Sequence, residues 1–216
     1  MNEQLPTVYV VDDDPSVRKS LERLLRSAGF QVQLFSTAGD FLDYRRLHDT
    51  PGCLVLDVKL PEVSGLELQS ELLDSPDPIP IVFITGHGDI PMSVTAMKAG
   101  AVDFLSKPFQ DEDLLAAIRE ATASGRRQRA ARAERAAIQE LYDRLTTRER
   151  EVMMLVVRGL PNKQIASSLG IGEKTIKVHR GRVMTKMQTR SVAELVQAAL
   201  KIGISPEPTP SSSTPA

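Results

Sequence analysis

Over its first 120 residues the chain repeats one unit five times, a short apolar run followed by a stretch of helical period. No other feature constrains the fold as strongly. Strands that alternate with helices pair in parallel, and a parallel sheet must be covered on both faces. The runs are Val8 to Val11, Val32 to Phe35, Cys53 to Leu56, Ile81 to Ile84 and Asp103 to Ser106, each rich in β-branched or aromatic residues. Helices are predicted near Pro15, Thr37, Gly65, Ile90 and Asp111, with Ser36 or Thr37 as a cap and Gly29 and Gly100 as stops. The expected fold class for this half is α/β, a flavodoxin-like, five-stranded, doubly wound parallel sheet. Such sheets place their sites beyond the carboxyl ends of the strands.

A chain of 216 residues has room for a second domain, and the punctuation changes after residue 121. From Thr122 to Leu145 the sequence turns to Arg and Ala, with no Gly after Gly125 and no Pro, which predicts a helical linker. Ile138, Leu141 and Leu145 form an apolar stripe on it. Arg126, Arg127, Arg129, Arg132 and Arg135 read as a solvated face or as contacts to DNA or a second copy. Residues 146–203 read as an all-α unit of four helices. Thr146 with Glu149, and Ser191 with Glu194, match capping boxes, and Asn162 is placed to cap the second helix. Gly170 stops that helix and Glu173 opens the third. Two short helices joined by LGIGEKT make a helix-turn-helix. The expected domains are therefore 1–121, a linker at 122–145, 146–203, and a Pro- and Ser-rich tail at 204–216 that reads as disordered.

Charge separates the two halves. Residues 1–122 hold 10 Lys and Arg against 20 Asp and Glu, a net of −10, while residues 123–216 hold 17 against 8, a net of +9. An acidic half is repelled by phosphates and a basic half attracts them, so nucleic acid is expected at the C-terminal half. With 41% hydrophobic and 25% charged residues the composition is that of a globular protein rather than a disordered one. No apolar run reaches the roughly 20 residues of a membrane span and no signal-peptide pattern opens the chain, which predicts a cytoplasmic protein without membrane contact. The single cysteine, Cys53, excludes an internal disulfide or a cysteine cluster for zinc, and reads as a buried apolar thiol.

Chemistry-bearing residues gather at the expected strand ends. Asp12 and Asp13 follow the first strand, Asp57 ends the third, and Thr85 and Lys107 follow the fourth and fifth. Three carboxylates in one place repel unless a cation joins them, and Mg²⁺ prefers a few carboxylate oxygens with open positions left over. A carboxylate can then act as a phosphoryl acceptor, with a lysine as second cation and a hydroxyl as donor. Taken singly, VDDD is also an ordinary helix cap and the Lys-Pro step an ordinary turn. In the third C-terminal helix, Thr175, Lys177, Val178, Arg180, Gly181 and Arg182 offer donors and apolar contacts, while Ile176, Val183 and Met187 suit the core. His179 reads as packing, capping or a DNA contact, and His87 as a loop residue or a modulator of phosphoryl lifetime. The apolar face of VAELVQAAL in the fourth helix suits either the core or a symmetric dimer.

The segments VYVVDDDPSVRKSL, LVLDVKLPEVSGLEL, IVFITGHGDIPMSVTAMKAGAVDFLSKPF and LTTREREV identify a family. Residues 6–121 resemble a response-regulator receiver domain, and the whole chain resembles the FixJ/NarL family with its LuxR-type helix-turn-helix. The resemblance implies Asp12 and Asp13 around Mg²⁺ or Mn²⁺, Asp57 as phosphoacceptor and the Lys59 carbonyl in the metal shell. It further implies Thr85 as a switch hydroxyl coupled to Phe104, Lys107 on the phosphoryl group, and a cis bond between Lys107 and Pro108. For DNA it implies Lys177 and Val178 at bases, with Asn162, Lys163, Lys174 and Thr175 near phosphates and Arg180 and Arg182 as salt-dependent contacts. Gly181 departs from relatives that carry a longer contacting side chain there. The implied partners are a sensor histidine kinase, promoter DNA, RNA polymerase and a second copy after phosphorylation. The implied role is a transcription factor, most often an activator, that turns over no external substrate. Two other readings compete: a hydrolase of the haloacid dehalogenase kind, and a dimerising module that takes no phosphate. The first wants a second Asp two residues after the nucleophile, where this chain has Lys59.

Overall fold

The computed structural model describes residues 6–48, 50–61, 63–75, 77–86 and 90–205. The expected loop residue His87, and the expected tail beyond Ser205, lie outside them. The chain divides into two compact units, Met1–Arg129 and Ala130–Ala216.

In the first unit five strands alternate with helices: β1 Thr7–Val11, α1 Pro15–Ser27, β2 Gln31–Phe35, α2 Ala38–Leu47, β3 Gly52–Asp57, α3 Gly65–Leu73, β4 Ile81–Thr85, α4 Ile90–Lys98, β5 Asp103–Ser106 and the long α5 Asp111–Asp143, whose residues from Ala130 onward belong to the second unit. The strands are parallel throughout, in the order β2-β1-β3-β4-β5. Period-2 alternation divides the sheet between two cores. Tyr9, Val11, Leu54, Leu56 and Phe83 face Phe41, Leu68, Leu72 and Ala96 of α2, α3 and α4. Val8, Val10, Val55, Val82 and Ile84 face Leu21, Leu25, Leu114 and Ile118 of α1 and α5. Each such side chain removed from water contributes about 1.5 to 3 kcal/mol, so both faces together hold the strand ends rigidly. Cys53 lies in the second core, where burial pushes its thiol up to about 12, and it behaves as a small hydrophobe.

Local signals explain the boundaries. Asp14 caps α1 by accepting from the Ser16 N–H at 2.7 Å, with Pro15 at the first helical position, and Thr37 caps α2 through the Asp40 N–H at 3.1 Å. The strands begin and end within one residue of the runs read from sequence. The expected fifth helix and the expected linker are one continuous element, because nothing between Asp111 and Asp143 breaks a helix. Gly125 lies where a Cβ would come within 2.9 Å of Pro80 Cγ, so only a residue without a side chain lets α5 rest there. Arg129, expected on a solvated face, is half-buried and pairs with Asp77.

The second unit contains α6 Thr147–Val157, α7 Asn162–Leu169, α8 Glu173–Lys186 and α9 Val192–Lys201. Its core is built on Val152, Met153, Ile165, Ile176, Val183 and Leu195, with Leu145 buried and Ile138 and Leu141 packed against it. The apolar stripe of the expected linker therefore belongs to this core. Thr146 and Glu149 form a complete capping box, and Lys186 donates to Glu149 at 2.6 Å, drawing the end of α8 to the start of α6. That ammonium holds the Glu149 carboxyl below its usual range. At Ser191 the box is half made: Ser191 accepts from the Glu194 N–H, but the Glu194 carboxylate takes the Arg190 N–H instead. Asn162 does not cap α7. The cap is Pro161, without a side-chain bond, and Asn162 stands one residue inside with its Oδ1 accepting from Arg180 at 2.9 Å. Gly170, at φ +65, makes the left-handed turn that separates α7 from α8.

Candidate functional site

The register of the sheet carries three acidic residues to one edge. Val11 pairs with Leu56 and Asp57 pairs with Ile84, so the residues that follow β1, end β3 and end β4 lie side by side at the carboxyl edge. Asp12, Asp13 and Asp57 each offer a carboxylate oxygen within 4.8 Å of the others. Asp12 is fully buried, Asp57 is buried and Asp13 is exposed, so the cluster opens to solvent on one side. Lys107 closes the other. Its Nζ donates to Asp12 Oδ2 at 2.7 Å and to Asp57 Oδ2 at 3.1 Å.

Electrostatics follow from burial. Desolvation raises the Asp12 pKa, opposed by hydrogen bonds from Lys107 and from the Asp14 N–H, and the nearby Asp57 carboxylate raises it further. Burial alone would lower Lys107, but Asp12 and Asp57 overcome it and raise its pKa, keeping the ammonium charged. One ammonium facing three carboxylates leaves the cluster short of positive charge. An all-oxygen set open on one side suits a hard divalent cation that retains waters, and the donor chemistry fits Mg²⁺ with Asp12, Asp13 and Asp57 as the residues that would hold it.

Thr85 is fully buried at the end of β4, beside the Asp57 strand, and its carbonyl accepts from the Lys107 N–H at 2.7 Å. The Lys107–Pro108 bond is cis. Phe104 is half-buried, with its ring 6.1 Å from that of Phe83. The Lys59 backbone N–H turns toward Asp57 Oδ1 at 3.3 Å. Two supports were not read from sequence. Arg18 donates to the Asp12 carbonyl at 2.6 Å, which steadies the acidic turn. Gly65 lies where a Cβ would come within 2.6 Å of the Asp57 carbonyl oxygen, and its N–H donates to the Val58 carbonyl at 2.9 Å, so α3 starts directly under Asp57. Arg18 sits one turn into the helix after VDDD, a weak local signal; Gly65 carried none beyond a helix start.

A second charged surface lies on α8 in the other unit. Ile176, Val183 and Met187 face the core, as their spacing predicts. Lys174, Thr175, Lys177, Val178 and Arg182 are exposed, as is Lys163 on α7, and none of these cations forms an ion pair with a described residue. Val178 is 49% exposed and leaves an apolar side chain among these cations. Arg180 is half-buried and engaged with Asn162, and the buried Nδ1 of His179 has no partner among the described residues. Cations and a small apolar residue on one exposed helix, with a helix-turn-helix behind it, match what the major groove requires.

A doubly wound sheet with an acidic trio at its carboxyl edge, joined to a helix-turn-helix unit, defines a signal receiver coupled to a DNA-binding domain. Residues 8–119 match the model of the response regulator receiver domain, and residues 143–199 that of the bacterial regulatory proteins of the luxR family. The chain belongs to the two-component response regulators with a LuxR-type DNA-binding domain. It is 51% identical over 198 residues to nodulation protein W of Bradyrhizobium diazoefficiens, covering 92% of this chain and 87% of that one. It is 44% identical over 206 residues to the transcriptional regulatory protein FixJ of Azorhizobium caulinodans, covering 95% and 97%. The solved structure of the response regulator StyR matches with a TM-score of 0.79 at 52% identity, covering 92% of this chain and all of that one. Membership implies a sensor kinase and DNA as partners. Among the described residues no helix is long and apolar enough to cross a membrane.

Proposed function

We propose that the protein is a phosphorylation-switched transcription factor, an activator, in which Asp57 accepts a phosphoryl group from a sensor histidine kinase. The observation that carries this reading is the three carboxylates within 4.8 Å, with Lys107 at 2.7 and 3.1 Å from two of them. An Asp57 oxygen attacks phosphorus in line; the bond to the donor nitrogen breaks as the bond to the aspartyl oxygen forms, and the donor imidazole leaves with the electron pair. When bound, Mg²⁺ neutralises charge on the transferred group. Lys107, already within reach of Asp57, supplies a second positive charge, and Asp12 orients that ammonium. The Thr85 hydroxyl turns toward the new phosphoryl oxygens and the Phe104 ring follows, which alters the surface around α4 and β5 and favours a dimer. The only reaction proposed is this self-phosphorylation and its hydrolytic reversal.

On DNA, two copies present two α8 helices to a roughly palindromic operator. Lys177 and Val178 read base edges, while Asn162, Lys163, Lys174, Thr175, Arg180 and Arg182 lie near phosphates, and the bound dimer contacts RNA polymerase. Arg180 then holds Asn162 in place as well as meeting the duplex. The full chain mixed with Mg²⁺ and acetyl phosphate is expected to gain a hydroxylamine-labile phosphoryl mass that Asp57→Asn lacks. Equal labelling of Asp57→Asn would refute the assignment, and no labelling of the wild type would favour the phosphate-independent dimerising reading.

A further inference from the structure

The acidic trio occupies the carboxyl edge of the sheet. At the opposite, amino edge, within the first unit, lies a cavity of about 260 Å³ that the phosphoryl chemistry does not use. That volume is near the lower end of small-ligand sites, which run from about 300 to 1,000 Å³. Its walls come from the residues that enter β1, β3 and β4 and from α5. Gly125 permits that approach of the helix, since a Cβ there would come within 2.9 Å of Pro80 Cγ.

The walls are apolar for a backbone reason. Pro6, Pro51, Pro78 and Pro80 have no N–H to present. The carbonyls of Pro6, Pro51 and Pro80 already accept from the N–H groups of Gln31, Thr7 and Leu54, at 3.3, 3.4 and 2.9 Å, so these residues offer the cavity their rings. The charged groups are mostly cations. Arg45 is fixed in place: it donates to the Thr50 carbonyl at 3.0 Å, lies 5.7 Å from the centre of the Tyr9 ring, and has its other terminal nitrogen 3.9 Å from Asp77 Oδ2. Asp77 also pairs with Arg129. Arg126, one turn earlier on α5, is exposed and forms no ion pair with a described residue. Among the described lining residues three guanidiniums stand against one carboxylate.

We infer that this cavity is a binding site for a small organic acid, a carboxylate carried on a ring-sized apolar body. Arg126 and Arg45 face the carboxylate, whose two oxygens match the planar fork of a guanidinium, and the prolines pack on the body. Inorganic phosphate fits less well, because its oxygens would meet proline rings that offer no donor. Asp77 is the internal competitor: its charge repels the ligand and engages the same arginines. An occupant braces α5 against the segments that enter β3 and β4. The site is independent of phosphorylation and of DNA.

Benzoate is the probe, titrated into the isotope-labelled full chain and followed by backbone amide shifts, with benzamide as its neutral isostere and inorganic phosphate as the bare anion. Benzoate is expected to give saturable shifts centred on Gly52 and Gly125, with Kd on the order of a millimolar. Benzamide is expected to bind at least about tenfold more weakly, and phosphate to leave both amides unmoved. Arg126→Gln is expected to weaken benzoate about fivefold, and Asp77→Asn to tighten it about threefold, opposite signs that a merely structural ion pair would not give. Because Arg126 is exposed, its variant keeps the test standing if Asp77→Asn fails to fold, as melting curves would show. Absence of saturation, or shifts centred on α8 instead, overturns the inference. Equal binding of benzamide overturns the carboxylate, equal binding of phosphate overturns the apolar body, and weaker binding by a folded Asp77→Asn overturns the placement of the charge.

Discussion

The strand-end pocket of the first unit and the exposed face of α8 in the second are both charged sites, built on opposite terms. In the pocket, opposite charges already face one another: Asp12 is fully buried, Asp57 nearly so, and Lys107 bridges them at 2.7 and 3.1 Å. On the exposed face of α8, Lys174, Lys177 and Arg182 stand in solvent without ion-pair partners among the described residues. Under the proposed function, the difference follows from what each site meets. A small phosphoryl group needs groups fixed in advance in a low-dielectric edge, where each is worth more than in water. A long polyanion brings its own charges and counterions, so its partner needs exposed cations that release those ions on contact. Rigidity is invested in the first and accessibility in the second.

That contrast can be broken by substitution. The largest effect is expected on DNA. Lys177→Ala combined with Arg182→Ala should lower operator affinity about a hundredfold and flatten its salt dependence by about two ions, as titrations at several salt concentrations would show. Phosphoryl acceptance should be untouched. Next comes Gly65→Ala, which drives a Cβ against the Asp57 carbonyl and should destabilise the first unit by about 2 to 3 kcal/mol in urea unfolding. The same substitution at Gly181, where a Cβ would meet no heavy atom within 4 Å, should stabilise the second, and like signs at both positions would break the comparison. Asp13→Asn removes one exposed carboxylate of the trio and should weaken Mg²⁺ binding about tenfold by calorimetry with little change in folding.

The smallest effect concerns pH. Glu149 is held below its ordinary value of 4.5, chiefly by Lys186, so it binds fewer protons in the folded state than in the unfolded one near that pH. Its contribution, about 1 kcal/mol for a charge-assisted bond, is fully present above pH 4.5 and is lost as pH falls through the lower folded value. Glu149→Gln should therefore melt below the wild type at pH 7 and approach it near pH 3, a convergence that melting curves across that range would reveal.

Much of this was legible in the sequence because the signals are local or periodic. Alternating apolar runs gave all five strands, and Asp12, Asp57, Thr85 and Lys107 could be assigned to one edge since a parallel sheet aligns its strand ends. Caps at Asp14, Thr37 and Thr146 follow from side chains beside the orphan N–H groups they satisfy. The support from Gly65 was not legible, since it depends on how closely α3 approaches the Asp57 backbone from another element. Asn162 misled for a similar reason. Its type and place suit a cap, but the Arg180 guanidinium, 18 residues on, competes for the same oxygen. Arg129 likewise looked solvated until Asp77, far away in sequence, was brought beside it.

The central claim is that phosphate at Asp57 governs what α8 does. Operator affinity and oligomeric state of the full chain, measured with and without acetyl phosphate and Mg²⁺ for the wild type and for Asp57→Asn, test it most directly. The account predicts that phosphodonor promotes dimers and tightens binding at least about tenfold in the wild type, by a shift of 1.4 kcal/mol or more, and changes neither in Asp57→Asn. Binding and assembly that ignore the phosphodonor in the wild type, or respond equally in Asp57→Asn, would contradict it.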